Sequence, residues 1–272
     1  MEQSLKLSHK NWRTIYGLSF CVFLCICVGC SEKDFVSQAL DCEEQGDYEK
    51  AIAYWDKAIS RNPHDARYYN NRGSDKHELK DYIGAIKDCN MALQIDSFLI
   101  YGYTNRAGSK YILKDYVGAL KDYNTALKIY TFKTEHLQIK FLPLTSRLPF
   151  GNRTIADDDL MEAPQYQIND ILIDRAQVYY QMDSLNLALN DFTACIEEQF
   201  CLSFCFYWRA CIYYKMGNTN KAYDDLKQVL RYADRKWEWE WESEIALCAQ
   251  YALEKGLGML NCSMSDLGQQ YY

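Results

Sequence analysis

The chain has 272 residues, 49% hydrophobic and 25% charged, which is enough apolar content to bury a core and excludes a disordered polymer. Only 13 glycines and 4 prolines are present, too few for a turn-rich β-protein, so helices are expected. The formal net charge is −7, and a surface of that sign repels phosphate backbones and argues against a nucleic-acid partner.

Residues 1–29 read as a targeting segment. Lys6, Lys10 and Arg13 make a positive stretch, and Ile15–Gly29 is uncharged and mostly apolar. Its 15 residues would span about 22 Å as a helix, short of a hydrocarbon core of roughly 30 Å. A signal peptide therefore fits better than a transmembrane helix. Its removal would leave 27 basic and 36 acidic side chains, a charge of −9.

The stretch ends Cys27-Val28-Gly29-Cys30, which resembles the lipobox of bacterial lipoproteins, with Cys27 where leucine is usual. The resemblance implies cleavage before Cys30, which would carry the lipid; acyl chains such as palmitate would then supply a stable membrane anchor. Ser31 resembles the residue found in lipoproteins sorted to the outer membrane of Gram-negative bacteria. A signal anchor that is never cut is the alternative.

Beyond Cys30 the chain repeats itself. Lys80–Ile95, KDYIGAIKDCNMALQI, nearly duplicates Lys114–Ile129, KDYVGALKDYNTALKI, at an offset of 34 residues. Small residues keep that phase at Ala51, Ala85 and Ala119, then at Ala188 and Ala222. A second small set stands at Ala39, Gly73, Ala107, Ala176 and Ala210. Paired amphipathic helices that meet at small residues cannot bury their apolar faces alone, so neighbouring pairs must stack. Gly46 and Gly217 suit the left-handed turn within a pair, Pro63 ends the first pair, and Tyr69, Tyr103 and Phe206 fill the spaces between turns.

In this phase the pattern resembles the tetratricopeptide repeat family, with units at 32–65, 66–99, 100–133, 169–202 and 203–236. The resemblance implies an all-α, right-handed superhelical solenoid of helix-turn-helix hairpins, with units 1–3 in 30–133 and units 4–5 in 169–236. Units four and five depart from the pattern at the tyrosine and at the last small position.

Between them, residues 134–168 lose the phase and hold Pro143, Pro149 and Pro164. Lys133–Phe141 can prolong the preceding helix. The rest is either a surface insertion or a functional flap, because Phe141, Leu142, Leu144, Leu148 and Phe150 are too apolar to hang free. Asp157-Asp158-Asp159 lacks the spaced ligands and turn glycine of a calcium loop. In 237–272, Trp237–Gly256 reads as a helix capping the open end of the stack, before a loose tail. The alternation Trp237-Glu238-Trp239-Glu240-Trp241 would also suit a strand, but no partner strand is in sight.

No chemistry is legible. His64, His77 and His136 have no neighbour at metal spacing, and there is no nucleophile elbow, phosphate loop or dinucleotide fingerprint. The expectation is a non-enzyme with no metal and no cofactor. Cys42, Cys89 and Cys195 fall at repeat core positions. Cys195, Cys201, Cys205 and Cys211 crowd one junction, open to core packing, to a disulfide or to a metal.

In the family that the repeats resemble, ligands commonly lie along the first helices. The corresponding positions are Arg67, Asn70, Asn71, Ser74, His77 and Glu78 in unit two, and Tyr101, Thr104, Asn105 and Tyr111 in unit three. Unit four offers Asp170, Asp174, Gln177 and Tyr180, and unit five Phe204, Tyr207, Trp208, Tyr214 and Lys215. The family's clamp for a peptide carboxylate is missing, since Asp170 and Asp174 stand where cations belong.

Phe204, Tyr207 and Trp208 read either as interface anchors or as residues packed under the insertion or the capping helix. Arg72, Arg106, Arg175 and Arg209, at one position of four units, read as a structural ladder paired to Asp or Glu. The reading is a lipid-anchored scaffold that binds a protein or peptide segment in the cell envelope. The alternatives are a membrane-anchored cytosolic assembly factor or an accessory subunit of an envelope enzyme.

Overall fold

The computed structural model describes residues 32–137, 168–233 and 240–260. Among them are eleven α-helices, a closing 3₁₀ turn at Leu257–Met259 and no strand. In chain order they are α1 (Glu32–Glu44), α2 (Tyr48–Arg61), α3 (Ala66–Glu78), α4 (Tyr82–Ile95), α5 (Ile100–Ile112) and α6 (Tyr116–Leu137). They continue as α7 (Ile168–Gln181), α8 (Leu185–Glu197), α9 (Leu202–Lys215), α10 (Thr219–Ala233) and α11 (Glu240–Lys255). None is long and apolar enough to cross a membrane. The chain divides into two compact units, residues 1–64 and 65–272.

In the first unit, α1 and α2 form a hairpin that meets at Ala39, Ala51 and Ala58, all fully buried. Gly46 turns the chain at φ +71°, and Asp47 caps α2 by accepting from the Lys50 amide. Trp55 is buried, and its indole Nε1–H donates to Glu43 Oε1 at 2.9 Å, which gives the buried carboxylate a partner.

In the second unit, four hairpins (α3–α4, α5–α6, α7–α8, α9–α10) follow one another, and each turns the same way. Lys80, Lys114, Asp183 and Gly217 hold φ of +64°, +64°, +57° and +77°. The amide of the next residue bonds five residues back, as in Asp81 N to Lys76 O and Asn218 N to Tyr213 O, both 2.8 Å. Gly217 matches its expectation. At the other three turns a side chain sits where glycine is usual, at roughly 1 kcal/mol or more each, held there by the surrounding hydrogen bonds.

The crossings are close. Gly73 and Ala85, Ala92, Ala107, Ala119, Ala176, Ala188, Ala210 and Ala222 are all buried. A Cβ placed on Gly73 would meet Ala85 O at 3.2 Å and Cys89 Sγ at 3.3 Å, so the helices of that hairpin touch almost backbone to backbone.

The stack does not stop at the insertion. From α7, Ile171 and Val178 enter the apolar cluster of α5 and α6 around Ala107 and Tyr123. On its other side Ile173 and Ala176 enter the cluster shared by α8, α9, α10 and α11. Thus α7 takes the place that follows α6 although 30 residues (138–167) intervene. The expected prolongation of the third pair is present, since α6 runs to Leu137.

The expected C-terminal helix forms at Glu240–Lys255, ends at Gly256 with φ +104°, and buries Ile245, Ala249 and Ala252 against the last hairpin. Trp237–Trp239 lie outside the described residues.

Candidate functional site

Each hairpin of the second unit is locked by one arginine. Arg72, Arg106, Arg175 and Arg209 each donate through Nε and Nη2 to a carboxylate 16 residues on, namely Asp88, Asp122, Asp191 and Asp225, at 2.6–2.8 Å. The third nitrogen of three of them reaches back to the previous hairpin: Arg106 to Asn90 at 2.6 Å, Arg175 to Asn124 at 2.8 Å and Arg209 to Thr193 at 3.4 Å. The guanidinium also lies near Tyr69, Tyr103 and Phe206 in their repeats, at 5.2–5.5 Å. The ladder is structural, as its recurrence implied. The Arg175 rung spans the insertion.

The first helices meet one another along one face of the second unit, α3 with α5 and α5 with α7. That face carries polar side chains. Asn105 Nδ2 donates to Asn70 Oδ1 at 3.1 Å, and Asn70 Nδ2 to Asn71 Oδ1 at 3.3 Å, which links two repeats. Asn70, Asn71, Ser74, Thr104, Asp174 and Gln177 are buried, and Tyr101, Asn105 and Asp170 are half-buried. Arg67 is held by Asp65, with Nε to Oδ1 at 2.9 Å.

His77 and Glu78 end α3. Ser109 Oγ donates to Asn105 O at 3.0 Å, so its contact with His77 Nδ1 at 2.9 Å requires the imidazole to donate. Burial lowers the His77 pKa to about 4, so the ring is neutral with its proton on Nδ1. Burial alone raises Glu78 to about 7. Glu78 Oε1 and Asn71 Nδ2 are buried without a hydrogen-bond partner among the described residues.

Tyr111 is buried on the same face, and its phenol is pushed up to about 12 chiefly by desolvation, against a hydrogen bond with Gln181.

The aromatic end is a correction. Trp208 stacks on Phe192 of α8 (centroids 6.3 Å, planes 8° apart) and takes the edge of Tyr180 at 5.3 Å. Trp208 and Tyr207 are buried in the apolar cluster, so the packing alternative describes them. Phe204 is half-buried beside Trp208. Tyr214 and Lys215 are exposed at the end of α9, and Lys215 pairs with Asp183 at 2.8 Å.

Cys89 and Cys195 are free thiols, Cys195, Cys205 and Cys211 are buried in one apolar cluster, and no group of His, Cys, Asp or Glu among the described residues could hold a metal. Cys89 is fully buried, and desolvation raises its thiol to about 12, so it packs as a small hydrophobe. Cys30 with its lipobox-like motif, Asp157–Asp159 and the apolar residues of the insertion lie outside the described residues.

Two tetratricopeptide repeat family models match the chain, at residues 35–65 and 204–234. The crystal structure of the MamA protein is similar at 13% identity, covering 77% of this chain and 95% of that one, with a TM-score of 0.56. A second MamA crystal structure gives 14% identity, 77% and 99% coverage and a TM-score of 0.55. The first TPR of Spaghetti (RPAP3) bound to an HSP90 peptide is 26% identical over 35% of this chain and 75% of that chain, at a TM-score of 0.35. The chain thus carries tetratricopeptide repeats in an all-helical solenoid fold that it shares with MamA.

Proposed function

We propose that this protein is a lipid-anchored, non-catalytic adaptor of the bacterial cell envelope whose first-helix face holds a segment of another protein. Tetratricopeptide repeats are generally non-catalytic interaction scaffolds. One observation carries the reading. The first-helix face is polar where a stack needs only apolar packing, and Tyr101, Asn105 and Asp170 on it keep part of their surface open. The carboxylates Glu78, Asp170 and Asp174 favour a basic or backbone-amide ligand over a terminal carboxylate.

The anchor rests on the sequence Cys27–Cys30, its preceding apolar stretch and the cations before it.

Two measurements test the halves separately. Mass spectrometry of the mature amino terminus should find acylated Cys30; an intact Met1 would remove the lipid and favour the uncut signal anchor. Proteins crosslinked to the intact chain in cells should be lost from a Tyr101→Ala/Asn105→Ala variant that keeps its helical signal. Unchanged capture by that variant would remove the binding face.

A further inference from the structure

Glycines Gly73, Gly84, Gly102, Gly108 and Gly118 stand inside helices of the second unit, and all but one have a reason in the packing. A Cβ on Gly73 would press on Ala85 O, and one on Gly102 would meet Leu93 Cδ2 at 2.9 Å. Those on Gly84 and Gly118 would strike the capping carboxylates of Asp81 and Asp115. Gly108 of α5 is the exception. Among the described residues its Cβ would touch only His77 Cε1, at 3.9 Å, an ordinary contact. Glycine inside a helix is less stable than alanine, so the stack would be firmer with a side chain at 108.

The position is also bare where the other repeats are not. Ser74, Gln177 and Cys211 stand at the same place in α3, α7 and α9, and all three are buried. Gly108 is half-buried. Asn105 and Tyr101, three and seven residues before it, share its side of α5 and are half-buried too. The first-helix face is therefore open along α5.

Asn105 sets the chemistry of that opening. Its Nδ2 donates to Asn70 Oδ1 at 3.1 Å, which leaves its own Oδ1 an acceptor with no partner among the described residues. An acceptor beside a bare stretch of helix suits an N–H donor brought in close, and an extended chain carries one at every non-proline residue. A helical segment would not serve, because its interior amides are already bonded within the helix.

We infer that Gly108 is the point of closest approach between α5 and a bound extended segment, whose backbone crosses the helix there and donates an amide N–H to Asn105 Oδ1. The inference rests on the first-helix binding reading and deepens it: glycine lets a second backbone come nearer than any side chain allows.

The test is formaldehyde crosslinking of the full chain in cells, read as the yield of each discrete adduct, beside urea unfolding of the same purified variants. Gly108→Ala should raise the urea midpoint, because packing does not ask for the glycine, yet lower the adduct yield about fivefold or more. Gly108→Leu should abolish the adduct with circular dichroism unchanged. A lower midpoint in Gly108→Ala overturns the inference, since the glycine would then serve the fold. So does full adduct yield from either variant. If Tyr101→Ala/Asn105→Ala still loses the adduct in that case, the binding face stands without Gly108; if it keeps the adduct, the face falls as well. No adduct from the unaltered chain overturns both.

Discussion

Replacing Arg175 with leucine probes the joint across the insertion. The guanidinium makes two bonds to Asp191 and one to Asn124, all at 2.8 Å, with side-chain exposures of 19% for Arg175 and 10% for Asp191. Removing one partner of a buried pair costs about 3–5 kcal/mol, because the other charge remains buried; the partial exposure places this pair at the lower end, about 3 kcal/mol. Burial already holds the Asp191 carboxyl above its usual range, against the lowering by Arg175. Without the arginine it rises further. A carboxyl with a raised folded-state pKa binds extra protons in the folded state, so the variant regains stability as the pH falls.

The assay is urea unfolding followed by circular dichroism at pH 8 and pH 4, with Asp191→Leu and the double variant completing a cycle. The double variant should cost only about 1 kcal/mol, since two apolar groups then pack together. A single-variant cost below about 1 kcal/mol, or a double variant that loses the sum of both, refutes the reasoning.

Glu78→Gln should stabilise at pH 8 by about 2 kcal/mol and change little at pH 4.5, because the raised folded pKa of about 7 penalises folding only as pH rises above the ordinary carboxyl value of 4.5. An equal gain at both values in urea titrations would be the contrary result. His77 acts with the opposite sign: its pKa of about 4 means stability is lost as pH falls through 6.5, and His77→Gln should remove that slope. Lys80→Gly and Lys114→Gly, at φ of +64°, should each raise the unfolding midpoint by an amount equivalent to about 0.5–1 kcal/mol. Trp208→Ala should cost about 3–5 kcal/mol in the same assay, as a core residue and not as a surface anchor.

The repeat was legible because a close helix crossing tolerates only a small side chain, and a stack imposes that demand at a fixed interval. Ala85, Ala119, Ala188 and Ala222 therefore mark the phase even across the insertion. The arginine ladder was legible for the same reason. Its partners were equally present, since Asp88, Asp122, Asp191 and Asp225 keep the period 16 residues on.

Less legible were the turns at Lys80, Lys114 and Asp183. A left-handed residue announces itself only when it is glycine, and here the flanking backbone bonds hold other residues in that conformation. Tyr207 and Trp208 were misplaced as possible anchors because a repeat position fixes which face a residue starts from, not what neighbours cover it. A signal did exist: α9, LSFCFYWRACIYYK, is apolar almost all round, and such a helix is buried on every side.

The central claim is that the first-helix face of the repeats receives a protein. A photocrosslinking residue at Asn105 in the intact chain, compared in cells with one at exposed Lys227 of α10, tests it most directly. The account predicts one discrete adduct with another protein from position 105 and none shared with position 227. No adduct from 105, or the same smear from both, would contradict it.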